Sequence, residues 1–344
     1  MPQQQDGRTA ESATRMPDPA DVVCLGEAMA VFVPATPGPA EDTTLWRRTV
    51  GGAEANVACH LARLGLRARW VGAVGDDALG RAVVDHIRAA GVDVSGVRID
   101  PRRPTGLYLK EPGATGTRMR YYRRGSAASV MSRDLLDDLD LSGVRVLHLT
   151  GITAALSPQC GDLLRALLAL PRTELRVSFD VNWRPALWEG ADPSLLTELA
   201  DAADIVFVGE DEAEALWGTG DPARVRQVLP HPDTLVVKHG ARGATVLGAG
   251  APVFEPALRV DVVDPVGAGD AFAAGFLAEA LAGAAPRRCL RAGHLQAAAT
   301  LCTRDDVGES LPPAVVAELL AADDRRWAAA RVAGDGVRWE IIRS

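Results

Sequence analysis

Short apolar runs bounded by turn residues alternate with segments of helical period along most of this chain, and that alternation narrows the possible folds more than any other feature. Residues 22–26, 69–74, 146–149, 175–180, 205–208 and 234–238 read as buried strands, and residues 53–63, 78–90, 158–170, 195–202 and 210–218 read as helices. Strands that are apolar throughout and joined through helices belong in a parallel sheet covered on both sides. With 47% of its residues hydrophobic, the chain has ample material for such a core. The expectation is an α/β fold with a central, mostly parallel sheet and helices on both faces.

Residues 31–50 and 104–124 interrupt the pattern with alternating, strand-like runs and no helix between them. They are expected to form a small β-sheet lid over the carboxyl edge of the main sheet, where ligands of open α/β sheets bind. A pair of ordinary surface hairpins is the plainer alternative. From residue 268 the chain turns helical, over residues 268–282, 287–303 and 313–330. The domain reading is a disordered, polar and Pro-rich extension over residues 1–20, a globular unit over residues 21–320, and a C-terminal helix and charged, Trp-bearing tail over residues 321–344.

A formal net charge of −8 speaks against nucleic-acid and membrane-surface partners, both of which need concentrated Lys and Arg. The five cysteines form no CxxC pair, and the six histidines show no metal-ligand spacing. The cysteines read as small buried residues in a reducing compartment. With no apolar stretch of signal-peptide type and no run long enough to span a bilayer, a cytoplasmic location is expected.

The chemistry concentrates in Asp264-Pro265-Val266-Gly267-Ala268-Gly269-Asp270, placed between a short apolar run and a helix. Gly267, Ala268 and Gly269 are small enough for successive N–H groups to turn toward one point, and the positive end of a helix adds to them. That combination suits a phosphate gaining charge. Asp270, in the first turn, could take the proton of an attacking hydroxyl. A glycine-rich loop capped by an aspartate is the simpler reading of the same residues.

The segment resembles the second signature of the ribokinase-like (PfkB) family of carbohydrate kinases. The family's first signature is matched by Gly51-Gly52-Ala53-Glu54-Ala55-Asn56, where small residues permit close approach to a sugar and Asn56 offers both donor and acceptor. The resemblance covers residues 22–312. It implies a ribokinase-like fold, with Asp270 as catalytic base and Gly267, Ala268 and Gly269 as anion hole. ATP and Mg²⁺ follow from it, the nucleotide lying beside a K-x-G-x-x-G turn matched by Lys238, Gly240 and Gly243. Glu212 matches the family's magnesium-associated Glu, although Gly209 replaces its Asn, and Pro265 stands where many members have Thr. Asp264 and the 303–310 loop occupy the places used for a monovalent cation, potassium. His294 either faces the adenine or packs. A homodimer or higher homo-oligomer is implied by lids that pair between subunits.

The strings around Tyr108, Tyr121-Tyr122-Arg123 and Asp180-Val181-Asn182-Trp183-Arg184 are similar to those of the 2-keto-3-deoxygluconate kinases within that family. This implies an acidic sugar as partner, cradled by Gly52, Asn56, Tyr108, Tyr121, Arg123, Ile152, Arg184 and Asp270. Arg123 and Arg184 would grip its carboxylate, since a guanidinium matches a carboxylate bidentately. Pairing of both arginines with neighbouring acids is the competing reading. A kinase for fructose or another sugar, and a catalytically silent sugar-binding protein, are the alternatives in function.

Overall fold

The computed structural model describes residues 19–36, 38–113, 116–334 and 336–339, so most of the expected N-terminal extension lies outside the described residues. A nine-stranded sheet forms the centre. From edge to edge it runs Val253–Pro256, Gly243–Leu247, Thr234–Lys238, Ile205–Gly209, Arg176–Asp180, Val146–Thr150, Val22–Leu25, Ala68–Gly75 and Val97–Asp100. Gly243–Leu247 is antiparallel to both of its neighbours, and every other pairing is parallel.

Alternation along each strand divides the core between two faces. Val23, Leu25, Leu147, Leu149, Val206, Val208, Leu235 and Val237 pack on one side, against helices Pro158–Leu168 and Ser194–Asp201. Val22, Cys24, Val146, Ile205, Phe207 and Val236 pack on the other, against Ala53–Arg63, Ala78–Ala89 and Ala268–Leu281. Phe207 is the anchor of that second layer. Its ring meets Phe272 and Phe276 edge-on, with centroids 6.4 and 5.3 Å away, fixing helix Ala268–Leu281 against the strand.

The two interrupting segments form a separate four-stranded sheet, in the order Trp46–Gly51, Met29–Pro34, Leu107–Gly113 and Gly116–Tyr122. Met29–Pro34 begins just beyond the carboxyl end of Val22–Leu25, so this small sheet rises from the edge where the parallel strands end. No helix among the described residues is long and apolar enough to cross a membrane.

The C-terminal segment differs from the sequence reading. Where one helix was expected over residues 313–330, there are two short ones, Pro313–Leu320 and Asp324–Ala329. Asp323 starts the second by accepting a hydrogen bond from Arg326 N. The chain then enters strand Ala330–Ala333, which lies parallel to Arg259–Val260 and pairs with Gly336–Trp339. Local helical propensity loses here to strand pairing with a segment some seventy residues upstream.

Phe207→Ala should cost about 3–5 kcal/mol of stability, because it empties the interface between helix and sheet. Urea unfolding measures this, and a loss below about 1 kcal/mol would contradict the anchoring role.

Candidate active site

Three strand ends build the floor of the site. Arg176–Asp180, Ile205–Gly209 and Thr234–Lys238 are in register, with Asp180 opposite Phe207 and Gly209 opposite Lys238. Lys238 Nζ reaches back to Asp180 at 2.8 and 3.2 Å. Burial pulls the Lys238 pKa down, but the charges of Asp180 and Glu212 outweigh it and hold the ammonium protonated. Its nitrogen lies 3.6 Å from where a side chain at Gly269 would begin, which places a fixed cation beside the Gly267–Gly269 segment.

Helix Ala268–Leu281 presents its first turn to that cation. Its earliest N–H groups have no acceptor within the helix by geometry, and the helix dipole adds positive potential there. Asp270 stands in this turn, and Asn56 Nδ2 donates to its Oδ2 at 2.8 Å. Removal from water pushes the Asp270 pKa up to about 7; Asn56 opposes the shift, Asp180 adds to it, and Arg184 and Lys238 oppose it. A carboxylate poised near neutrality suits proton transfer. Sequence reasoning singled out Asp270, Asn56 and Gly267–Gly269, and the structure places Asn56 against Asp270 in the turn that these small residues begin.

The glycines have tighter reasons than sequence alone shows. Gly267 caps the helix in the left-handed region, φ 81°, and a side chain there would lie 2.2 Å from the Asp306 carbonyl oxygen. A side chain at Gly51 would strike the Tyr108 hydroxyl and the Asp306 carboxylate, and one at Gly52 would strike the Glu27 backbone. The Gly-Gly pair is therefore pressed against protein. Tyr108, expected to offer its hydroxyl to a ligand, is 4% exposed and donates instead to Asp306 Oδ2 at 2.6 Å. Lys110, two residues along the same strand, also reaches Asp306. Lys110 did not figure in the sequence reading, and Asp306 entered it only as part of the 303–310 loop.

On the lid side, Arg123 pairs with buried Glu27, whose other oxygen accepts from Ser126 Oγ. Arg123 Nε is nonetheless buried without a hydrogen-bond partner, as is Asn182 Oδ1. Orphaned polar atoms at the mouth of a cleft are what a polar ligand would satisfy. Asn182 also holds φ 43°, a left-handed conformation that Asn tolerates. The Tyr121 ring lies 5.2 Å from Tyr108, beneath the Arg123 guanidinium, and is 43% exposed. Arg184 is half exposed, donating to the Trp183 carbonyl and lying 3.3 Å from Glu212. Both arginines are near enough to act electrostatically on Tyr121. Ile152 sits in the short helix Gly151–Ala154 at the end of strand Val146–Thr150, partly open.

On the opposite side, Gly240–Arg242 makes one tight turn and Gly243 opens the antiparallel strand, with φ 59° at Gly240 and 140° at Gly243. Glu210 ties this turn down through Arg242 and His239. Glu212 accepts from Gly209 N at 2.7 Å; burial raises its pKa, with Lys238 opposing and Asp180 adding. His294 is buried, its Nε2 3.1 Å from the Glu255 carbonyl oxygen and its ring against Phe272. Burial lowers its pKa to about 4, so it packs as a neutral ring whose nitrogen is engaged inside the protein.

This geometry has known counterparts. The model of the pfkB family of carbohydrate kinases matches residues 19–313. The chain belongs to that family. It is 36% identical over 326 residues to the 2-dehydro-3-deoxygluconokinase of Thermoproteus tenax, covering 92% of this chain and 99% of that protein. It is 35% identical over 282 residues to the 2-dehydro-3-deoxygluconokinase of Bacillus subtilis, covering 80% of this chain and 87% of the other. The crystal structure of the Thermotoga maritima 2-dehydro-3-deoxygluconokinase superposes with a TM-score of 0.78 at 26% identity, over 89% of this chain and 99% of that one.

If Asp270 is the base it must be ionised to act, and with its pKa near 7, kcat/KM for phosphoryl transfer should fall about tenfold per unit below pH 7. Asn56→Ala removes the bond that favours the ionised form, so the acidic limb should move to higher pH. A limb that stays near pH 4–5 in both proteins would remove Asp270 from the base role.

Proposed function

We propose that this chain is an ATP-dependent kinase that phosphorylates the C6 hydroxyl of 2-keto-3-deoxygluconate, the 2-dehydro-3-deoxygluconate of its relatives' names, to give 2-keto-3-deoxy-6-phosphogluconate. The observation that carries the reading is Asp270: a carboxylate poised near neutrality, in the first turn of a helix, with Lys238 beside the same turn. Kinship with two 2-dehydro-3-deoxygluconokinases over most of the chain supports the substrate.

The sugar lies under the small sheet, its ring against Tyr121 and its carboxylate directed to Arg184 and the free N–H of Arg123. Charge compensation of Arg123 by Glu27 leaves Arg184 the larger part of that grip. The C6 hydroxyl faces Asp270, which takes its proton as the oxygen attacks the γ-phosphorus in line; the bond to the β-bridging oxygen breaks and ADP leaves. N–H groups at Gly267–Gly269 and the Lys238 ammonium face the charge that develops on the transferring group. The glycine turn at Gly240–Gly243 lets the nucleotide pass close to backbone. Among the described residues no three His, Cys, Asp or Glu side chains form a metal cage. Magnesium arriving on the phosphates needs only one or two protein carboxylates, a requirement Glu212 can meet. Bound there, it would neutralise charge on the β- and γ-phosphates. Closing the small sheet excludes water that would otherwise accept the phosphoryl group.

Purified protein with Mg-ATP should phosphorylate 2-keto-3-deoxygluconate in strong preference to fructose, ribose and gluconate, and preference for a neutral sugar would refute the carboxylate assignment. Asp270→Asn should lower kcat by about 10²–10⁴-fold with an unchanged melting temperature. Arg184→Lys should act mainly on the KM for the acid, since an ammonium cannot reproduce the guanidinium fork. An equal loss on fructose would show that Arg184 does not read the carboxylate.

A further inference from the structure

Lys110 is the most enclosed cation near the reaction centre, and the mechanism above gives it no part. Its side chain is 3% exposed, and its Nζ lies 2.7 Å from Asp306 Oδ1 and 3.0 Å from Asp264 Oδ2. Asp306 is 2% exposed and also accepts from Tyr108. Strand period puts Tyr108 and Lys110 on one face of Leu107–Gly113, so one strand of the small sheet delivers both groups to the same carboxylate.

What this ammonium joins is specific. Asp264 Oδ1 accepts from Val266 N at 3.1 Å and so shapes the turn that leads into Gly267. The Asp306 carbonyl backs Gly267 from the other side. The two loops that frame the anion hole thus converge, through two carboxylates, on one point. Two carboxylates meeting away from water repel unless a cation sits between them. Burial opposes charge on Lys110, but Asp306 and Asp264 outweigh it and raise its pKa.

We propose that Lys110 is the resident cation of the anion hole, a positioning residue that fixes Gly267–Gly269 for phosphoryl transfer and makes a free monovalent cation unnecessary. The small sheet then does more than cover substrate: it carries the ion that holds the reaction loop in shape. The proposal deepens the kinase reading and rests on it for the step it serves.

Wild type and Lys110→Ala would be compared in tetramethylammonium, sodium and potassium salts at one ionic strength, by kinetics and by thermal melting. Wild type should show equal turnover and equal melting in all three. The variant in tetramethylammonium should lose about 10²-fold in kcat, with much less change in KM for the sugar, because the loop is misplaced and the substrate cradle is intact. Potassium or ethylammonium should restore about tenfold of that loss and raise the variant's melting temperature, by occupying the vacated position. A purely structural lysine would give no such rescue. The proposal is overturned if potassium activates wild type about tenfold, or if the variant keeps full turnover in tetramethylammonium. It is equally overturned if potassium moves neither the variant's turnover nor its melting. Melting needs no substrate, so a failure here is distinguishable from a failure of the sugar assay. Should Lys110→Ala not fold, the wild-type salt comparison decides alone.

Discussion

Parallel strands deliver their carboxyl ends to a common edge, and almost everything chemical in this protein depends on that. Gly26 and Glu27 follow one strand; Thr150, Asp180, Gly209 and Lys238 end four others. No long connection is needed to assemble them, since strand register alone puts Thr150 beside Asp180 and Gly209 beside Lys238. The helix bearing Asp270 is then held over this edge by apolar packing, with Phe207 contributing from the middle of the sheet. Precision at the reacting atoms is thus inherited from a rigid core.

Charge is distributed along that edge with little to spare. Glu212 and Asp270 each feel Lys238, Arg184 and Asp180, the two cations opposing the rise in pKa that burial and the Asp180 charge produce. A lone carboxylate at the place of Asp270 would be an ordinary weak base. Enclosure and the negative charge of Asp180 bring it to neutrality, while Asn56 and the two cations keep it from rising further. Around Arg123 the balance differs: Glu27 already neutralises the guanidinium, so this side of the cleft offers donors more than net charge.

The layered fold was legible because apolar runs and helical periods are local signals, and the motif at residues 264–270 was legible because its small residues and acid are contiguous. Other features are encoded over distances that pattern reading does not span. Lys110 drew no notice within its strand-like run, and only its partners, 154 and 196 residues downstream, make it a buried cation. Tyr108 misled for the same reason, its hydroxyl being committed to Asp306. Gly51 and Gly52 were recognised as a place of close approach, but the surface approached is protein. At the C-terminal end, Ala330 ends a helix-favouring stretch and yet begins a strand, because Arg259–Val260 offers it a partner.

The neutral poise of Asp270 has a thermodynamic side as well. A group that is about half protonated at pH 7 couples proton uptake to whatever charge arrives next to it. An anionic nucleotide settling at the same helix end favours the protonated carboxyl, and by reciprocity the proton favours the nucleotide. Anion binding at that helix end would therefore be linked to proton uptake, and the linkage would fade well above and well below pH 7.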